Sequence, residues 1–557
     1  MISLGIHAFT HDASAALSID GRPVAFAEEE RFSRIKGDPE FPYRSIRFCL
    51  NTSGVSAKDI DRVTFPFRPE RGAWKRLTYL SRNPLTAVSR FLDLWQKGRR
   101  MQGIGNRLFS LDIHAPVTHS DHYLAHALAV FLASPFEQAA VMVLDGVAEA
   151  WSGAFYRAER FPAPRLTRLG RLPFPHSPGL VYAAVTEHLG FRHNREEGKV
   201  MSMAALGDDR YRIDFGSVFQ VHGLSLQTER KWFDFGGTWT TPIFRKVFGP
   251  PRREGEPLED RHFALARVLQ ENVERVSLHM AKTLLDKTGC RDLCFGGGMA
   301  LNPALNGALR QTSGCGNLYC LPAGGDAGTA LGAVLMGKAD PHWFLEHPYL
   351  GYEASREELG GAVQALGETH IVLEKDAVLK AAELLAKGAI GGWFRGKSEM
   401  GPRALGHRSI LADPRSKGVR DRLNRAIKQR ESFQPFAPAV LIDRCRDLFP
   451  GVVSSPYMLQ TFLLPEETRA LIPAVIHEDG TSRIQTVTPG DGSGLDELLL
   501  EFEALTGLPV LLNTSLNGKG EPLANSPKDA AAIFERCGLD FLVLEDILVM
   551  RRNSCGP

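Results

Sequence analysis

No two of the eight cysteines in this 557-residue chain stand in a CxxC pair, so neither a zinc ribbon nor a dithiol redox centre is signalled. Cys294 lies inside an apolar run, LCFGGG, and is expected as a buried thiol rather than a zinc ligand. Charge of either sign is nearly balanced, with a net +2 at pH 7, which favours neither nucleic acid nor membrane as an obligate partner. No uninterrupted apolar run approaches the ~18 residues of a membrane span. The opening MISLGIHAFTHD has no basic n-region and only a short apolar run, so no signal peptide is expected. These absences leave a soluble, cytoplasmic protein as the expectation.

What is present is ordinary globular composition, 43% apolar and 23% charged, with 54 glycines that imply many tight turns. The chain is too long for one core, so two or more domains are expected. The opening ISLGIHAFTHDASAALSIDGRPVAFAEEERFSR reads as strands around turns, with Asp20-Gly21 marking a hairpin. A similar pattern recurs at AAVMVLDGVAEAWSGAFYR (139–157), where Asp145-Gly146 follows the apolar strand. Two such units predict a duplicated α/β domain. Leu265, Leu269, Val273, Val276, Met280 and Leu284 repeat at helical spacing over 259–288, and Gly289 ends that helix. The irregular DPHWFLEHPYLGYEAS around 340–355 suggests a boundary, giving domains of 1–350 and 351–557. The second is expected to be α/β, its last long helix starting at Ser526-Pro527. The basic stretch 67–100 reads as a solvated helical face or as an insert shaping an acceptor pocket.

The nine residues HSDHYLAHA (119–127) hold three histidines. His122 and His126 are four apart among good helix formers, so both imidazoles share one helical face and can meet one ion. Tyr123 stands where HExxH metalloproteases carry their glutamate, so that general base is absent. Asp145, at a strand-ending turn, and Asp326, in LPAGGDAGTALGA, are candidate oxygen ligands; two imidazoles plus two carboxylates suit a divalent ion such as iron or zinc. His119 and Asp121 lie off the shared face, and Ser120 or Asp121 is the expected helix cap.

GGGMALNPALNG (296–307) follows a strand and leads into a helix, with Asn302 available to a sugar or base; it does not spell GxGxxG, so a dinucleotide fold is a poor fit. With AGGDAGTALG (323–332) and EGKVMSMAALG (197–207), which carries Lys199, these loops point to ATP. A different signature follows in RGKSEMGPRALGHRSILADPR (395–415), where arginines are interleaved with glycine and apolar residues. Some of them should aim inward at an anion, together with Lys428 and Arg430 of KQRESFQPFAPAV and Asn513, Thr514 and Ser515 of LLNTSLNGKGEPL.

Taken in order, HDASAAL, EEERFSR, HxxxHA, LDG, EGKVM, GGGMALN, PAGGDAGTALGA, GPRALGHRSILADPR, KQRESFQPFAP and NTSLNGKGEPL make the chain resemble, over nearly its whole length, the O-carbamoyltransferases of natural-product and nodulation-factor biosynthesis. The resemblance implies a duplicated sugar-kinase/actin-like N-terminal domain, similar to tRNA threonylcarbamoyl transferases, and an α/β C-terminal domain similar to threonylcarbamoyl-adenylate synthases. It implies that carbamoyl phosphate and ATP yield carbamoyl-adenylate and pyrophosphate in the second domain, and that the first passes the carbamoyl group to a small-molecule alcohol. The implied metal ligands are His122, His126, Asp145 and Asp326, with iron ahead of zinc. His11 and Lys36 would face the carbamoyl group and acceptor. Lys199, Gly296, Gly297, Asn302 and Gly325 would line the nucleotide, and Arg403, Arg408, Lys428, Arg430, Asn513 and Ser515 would hold carbamoyl phosphate. Gly37, Gln434 and the Gly298-Met299 pair depart from the family pattern. The expected partners are the alcohol acceptor and a second copy in a homodimer, with neither nucleic acid nor membrane. A tRNA threonylcarbamoyl transferase-like modifier and a non-catalytic nucleotide-binding protein on an actin-like fold are the competing readings.

Overall fold

A computed structural model describes residues 1–68, 96, 98–211, 215–235, 237–367, 370–373 and 375–551. Most of the basic stretch 67–100 lies outside the described residues. The chain forms two compact units: Met1–Glu29 with Gly37–Glu346, and Glu30–Lys36 with His347–Pro557.

The first unit holds two five-stranded sheets of identical order. One comprises β1 (Ile2–His7), β2 (Ser14–Ile19), β3 (Arg22–Glu28), β4 (Arg62–Phe65) and β5 (Val117–His119), arranged β3-β2-β1-β4-β5. The other comprises β6 (Gln138–Ala148), β7 (Trp151–Glu159), β8 (Arg165–Pro173), β9 (Leu293–Gly296) and β10 (Leu318–Cys320), arranged β8-β7-β6-β9-β10. In each, the first two pairings are antiparallel and the last two parallel. The duplicated α/β architecture is therefore explicit in the strand order, as expected for the sugar-kinase/actin-like fold. Asp20 and Gly21 both take positive φ in the two-residue turn between β2 and β3, which their sequence allows at little cost. β1 and β6 are apolar runs rather than alternating ones because helices cover them.

Those helices carry the site. α1 (His122–Ala133) packs on β6 and β9; α2 (Pro178–His188), α3 (Glu197–Ala204) and α4 (Asp260–Thr288) follow, and α5 (Pro303–Thr312) leads from β9 toward β10. α6 (Thr329–Val334) lies between α1 and β1. Its Gly332 touches the α1 backbone so closely that a Cβ there would fall 1.9 Å from the Ala125 carbonyl oxygen, so glycine sets the distance between the two helices. α4 ends at Gly289 in the left-handed conformation.

The second unit is built on an eight-stranded mixed sheet. Its strands are β11 (His370–Leu373), β12 (Gly391–Phe394), β13 (Arg408–Ala412), β14 (Ala437–Leu441), β15 (Gln485–Val487), β16 (Val510–Ser515), β17 (Phe541–Leu544) and β18 (Ile547–Arg551). Their order is β11-β18-β17-β12-β13-β16-β14-β15. Two separate apolar clusters draw alternate residues of β12, β13 and β16: Phe394, Ile410 and Leu512 in one, Trp393, Leu411 and Leu511 in the other. α7 (Ala377–Ala386) and α8 (Leu495–Thr506) pack together, and α9 (Pro527–Cys537) starts at a Ser526/Asp529 capping box. Within the described residues no helix is long and apolar enough to cross a membrane.

Candidate metal centre and anion pocket

Asp121 starts α1 by accepting the Leu124 N–H at 3.1 Å, a cap worth about 1 kcal/mol, and is itself held by an ion pair with Arg171. One turn of helix then places His122 Nε2 and His126 Nε2 3.1 Å apart. Asp145, on β6 where its pairing with β7 turns irregular, brings Oδ2 to 3.5 Å from His122 Nε2 and 3.9 Å from His126 Nε2. Asp326, between β10 and α6, brings Oδ1 to 3.4 and 3.5 Å from the same nitrogens. All four ligand atoms lie within 4.8 Å of one another.

The donor chemistry fits a divalent cation. His122 Nδ1–H donates to the Pro66 carbonyl at 3.2 Å, which turns Nε2 toward the cluster. Among the described residues Asp326 Oδ1 is sealed from solvent and faces only the two imidazoles, a setting that suits a bound cation. Asp145 Oδ1 is fixed by the Gly298 N–H at 3.1 Å, leaving Oδ2 toward the imidazoles. Burial pushes the His122 pKa down, yet Asp326 and Asp145 outweigh it and hold it up at about 10; Asp326 stays well below the ordinary carboxylate range through the neighbouring histidines despite its own burial. Two carboxylates thus draw positive charge into a buried space. His126 is lowered, by burial first, with the charge of His122 adding to it.

Other side chains reach Asp326 from β1 and the turn after it. His7 Nε2 is 3.4 Å and His11 Nε2 3.6 Å from Asp326 Oδ2, and Thr10 Oγ1 donates to that oxygen at 3.3 Å. Thr329 Oγ1 lies 3.0 Å from His7 Nδ1. His11 Nδ1–H donates to Asp12 Oδ2 at 2.9 Å, so the ring lies between Asp12 and Asp326, whose charges raise its pKa to about 10 against the effect of burial. His7, Thr10 and Thr329 were not singled out in the sequence; the spacing of His7 to His11, equal to that of His122 to His126, was the available signal.

The two glycine loops meet here. Gly297 donates its N–H to the Gly324 carbonyl at 3.1 Å, so Gly296 and Gly297 lie beside Asp145 while Gly325 adjoins Asp326. Gly297 has φ +87° and a Cβ there would fall 2.3 Å from the Leu144 carbonyl oxygen, so no other residue fits. Asn302 caps α5 through Leu305 and exchanges hydrogen bonds with Gln270. Lys199 pairs with Glu196 at 2.8 Å and lies over the Phe191 ring.

In the second unit, Lys428 is buried and donates to Ser515 (carbonyl at 2.5 Å, Oγ at 3.2 Å) and to Asn517 (carbonyl at 3.1 Å, Oδ1 at 2.7 Å). Burial, then the charges of Arg430 and Lys36, push its pKa well below the usual lysine value. Lys36 therefore belongs electrostatically with Lys428, whereas His11 is in the first unit. Arg403, Arg430 and Arg483 crowd one another: burial brings Arg403 down to about 10, burial and Arg403 bring Arg430 to about 10, and Arg483 falls further through burial and both neighbours. Among the described residues no carboxylate forms an ion pair with Arg483, and its Nε has no acceptor. Three half-buried guanidiniums that repel one another make a candidate anion-binding group. Arg483 and Asn517 were missed in the sequence; Arg483 stands alone in the strand-like SRIQTV with no motif around it. Arg408 is fully buried, stacked on Phe394 and donating to the carbonyls of Arg395, His407 and Tyr352. Asn513 Nδ2 is held by Gln485 Oε1 and the Ala404 carbonyl, next to Arg403.

Comparison with known proteins adds an independent view. Residues 2–335 match the model described as carbamoyltransferase N-terminus, and residues 382–551 the one described as carbamoyltransferase C-terminus. An uncharacterized protein, sll1178, of Synechocystis sp. is 36% identical, covering 98% of this chain and 96% of its own. Nodulation protein NolNO of Sinorhizobium fredii is 34% identical, covering 98% of this chain and 80% of its own. Among solved structures, HypF of T. kodakarensis aligns over 60% of this chain and 47% of its own, at 11% identity and a TM-score of 0.34.

Proposed function

Because this chain belongs to the carbamoyltransferase family, we propose that it is an O-carbamoyltransferase that uses ATP and carbamoyl phosphate and delivers the carbamoyl group to a hydroxyl of a small-molecule natural product. The observation that carries this reading is the pairing of two different sites in one chain: a His2Asp2 cluster in the first unit and an arginine–lysine pocket in the second. One activates, the other transfers.

In the second unit, Arg403, Arg430 and Arg483 neutralise phosphate charge, and Lys428, fixed by Ser515 and Asn517, adds an N–H donor. Atom balance sets the order there. Water opens the mixed anhydride of carbamoyl phosphate to phosphate and carbamate; a carbamate oxygen then attacks the α-phosphorus of ATP, and pyrophosphate leaves as carbamoyl-adenylate forms. In the first unit the adenylate lies along the loops of Gly296, Gly297 and Gly325, whose bare backbone admits a phosphate closely. His11, which Asp326 and Asp12 hold protonated against the effect of burial, donates from Nε2 to the carbamoyl oxygen as the alcohol oxygen attacks the carbamoyl carbon, and AMP departs with the hydroxyl proton on its phosphate. A divalent cation on His122, His126, Asp145 and Asp326, iron ahead of zinc, supplies when bound positive charge for the adenylate phosphate. The purified protein with metal, ATP and carbamoyl phosphate should release pyrophosphate; none released would sink this reading.

A further inference from the structure

Close to Arg420 and Arg483 lies a buried ring nitrogen that has no partner among the described residues. His477 Nδ1 lies 3.0 Å from Thr481 Oγ1, and that hydroxyl donates its own proton to Asp479 Oδ1 at 2.7 Å. Thr481 must therefore accept, so the imidazole carries its proton on Nδ1 and a lone pair on Nε2. That Nε2 is sealed from solvent and has no hydrogen-bond partner among the described residues. The residue is tied to the pocket through the backbone: Arg420 donates to the carbonyls of Ile476 and Ser432 at 3.3 and 3.2 Å. Asn424 Nδ2 also donates to the Ser432 carbonyl, and Asn424 Oδ1 accepts Arg430 Nε–H at 2.7 Å. Arg483 follows Thr481 by two residues. The neutral state agrees: burial, with Arg483 and Arg420 adding repulsion, lowers the His477 pKa to about 4.

A neutral imidazole lone pair among guanidiniums cannot serve a phosphate oxygen, which is itself an acceptor. It suits an N–H. We propose that His477 is a specificity-determining residue that accepts an N–H of the carbamoyl amino group and so distinguishes carbamoyl phosphate from acyl phosphates of the same shape, such as acetyl phosphate. This rests on the reading that the second unit binds carbamoyl phosphate. An acetyl methyl would leave Nε2 buried and unpaired, and sites built around a substrate N–H reject analogues that lack it.

The test uses the full chain as wild type, His477→Leu and His477→Gln, following pyrophosphate release with ATP at varied carbamoyl phosphate. Acetyl phosphate and inorganic phosphate serve as competitors. His477→Leu is expected to raise KM for carbamoyl phosphate ~10-fold and to narrow its preference over acetyl phosphate by a similar factor. Inorganic phosphate should inhibit as in wild type, because the arginines remain. Glutamine, with a carbonyl that can replace the Nε2 lone pair, should recover most of the preference. An unchanged preference in His477→Leu, a parallel loss of phosphate inhibition, or a rise in KM for ATP alone would each overturn the assignment. No pyrophosphate from the wild type would instead overturn the parent reading, and this inference with it.

Discussion

Replacing Arg483 by methionine should move stability and binding in opposite directions. Arg483 is half-buried and repelled by Arg403 and Arg430, lacks a carboxylate partner among the described residues and leaves a sealed Nε unpaired. In the ligand-free protein it carries a desolvation cost plus repulsion from two neighbours. Methionine keeps the aliphatic volume and removes both, and replacing uncompensated buried charge by an apolar residue is worth ~1–4 kcal/mol. We take the lower half, about 1–2 kcal/mol, because part of the arginine stem already packs. For a unit of this size that is a Tm increase of ~2–8 °C in the absence of ligand. Binding loses a charge-assisted hydrogen bond of ~1.5–3 kcal/mol, weakening phosphate or carbamoyl phosphate binding ~10–150-fold. Thermal unfolding of the ligand-free protein and calorimetric titration with carbamoyl phosphate and inorganic phosphate read the two effects separately. A destabilised variant with undiminished phosphate affinity would refute the reasoning, since Arg483 would then be a structural strut.

Three further outcomes are expected. Asp326→Asn should cut divalent-metal affinity ~100-fold or more, beyond what loss of a supporting residue costs, as read by metal content after dialysis; full retention would remove Asp326 from the ligand set. Gly297→Ala should destabilise the first unit and displace the loop that fixes Asp145, because its Cβ would meet the Leu144 carbonyl at 2.3 Å; unchanged Tm and metal content would contradict the close approach. His407, buried and stacked on Tyr349, is lowered to about 3 by burial and then by Arg408. Its folded pKa lies below the unfolded value of ~6.5, so its contribution is complete above that pH and is lost as pH falls toward 3, at up to ~1.4 kcal/mol per pH unit. Denaturation midpoints of His407→Gln should fall less steeply than wild type between pH 6.5 and 5; parallel slopes would exclude this residue.

How much of this was legible from residues alone depended on whether the signal was local. His122 and His126 share a helical face by spacing, and Asp145-Gly146 and the glycines around Asp326 marked the two carboxylates, although Asp145 lies within β6, at an irregular stretch of its pairing, rather than at the strand-ending turn expected. The strand order β3-β2-β1-β4-β5, repeated in the second sheet, brings them together. Arg483 and His477 were hidden because each sits alone in unremarkable sequence and gains meaning only from the arginines folded against it. Lys36 and His11 are near in sequence, yet Glu30–Lys36 belongs to the second unit, an excursion that a single cut at 350 does not express. Arg408 shows the converse: it lies in the most arginine-rich motif, but its guanidinium is committed to three backbone carbonyls.

The central claim is that activation and transfer occupy separate sites. Pyrophosphate release and carbamoylated alcohol should therefore be measured side by side in wild type, His122→Ala and Lys428→Met, with a panel of hydroxylated acceptors. The account predicts that Lys428→Met loses both products, while His122→Ala loses carbamoyl transfer but retains carbamoyl-phosphate-dependent pyrophosphate release. Equal loss of both products in His122→Ala would contradict it.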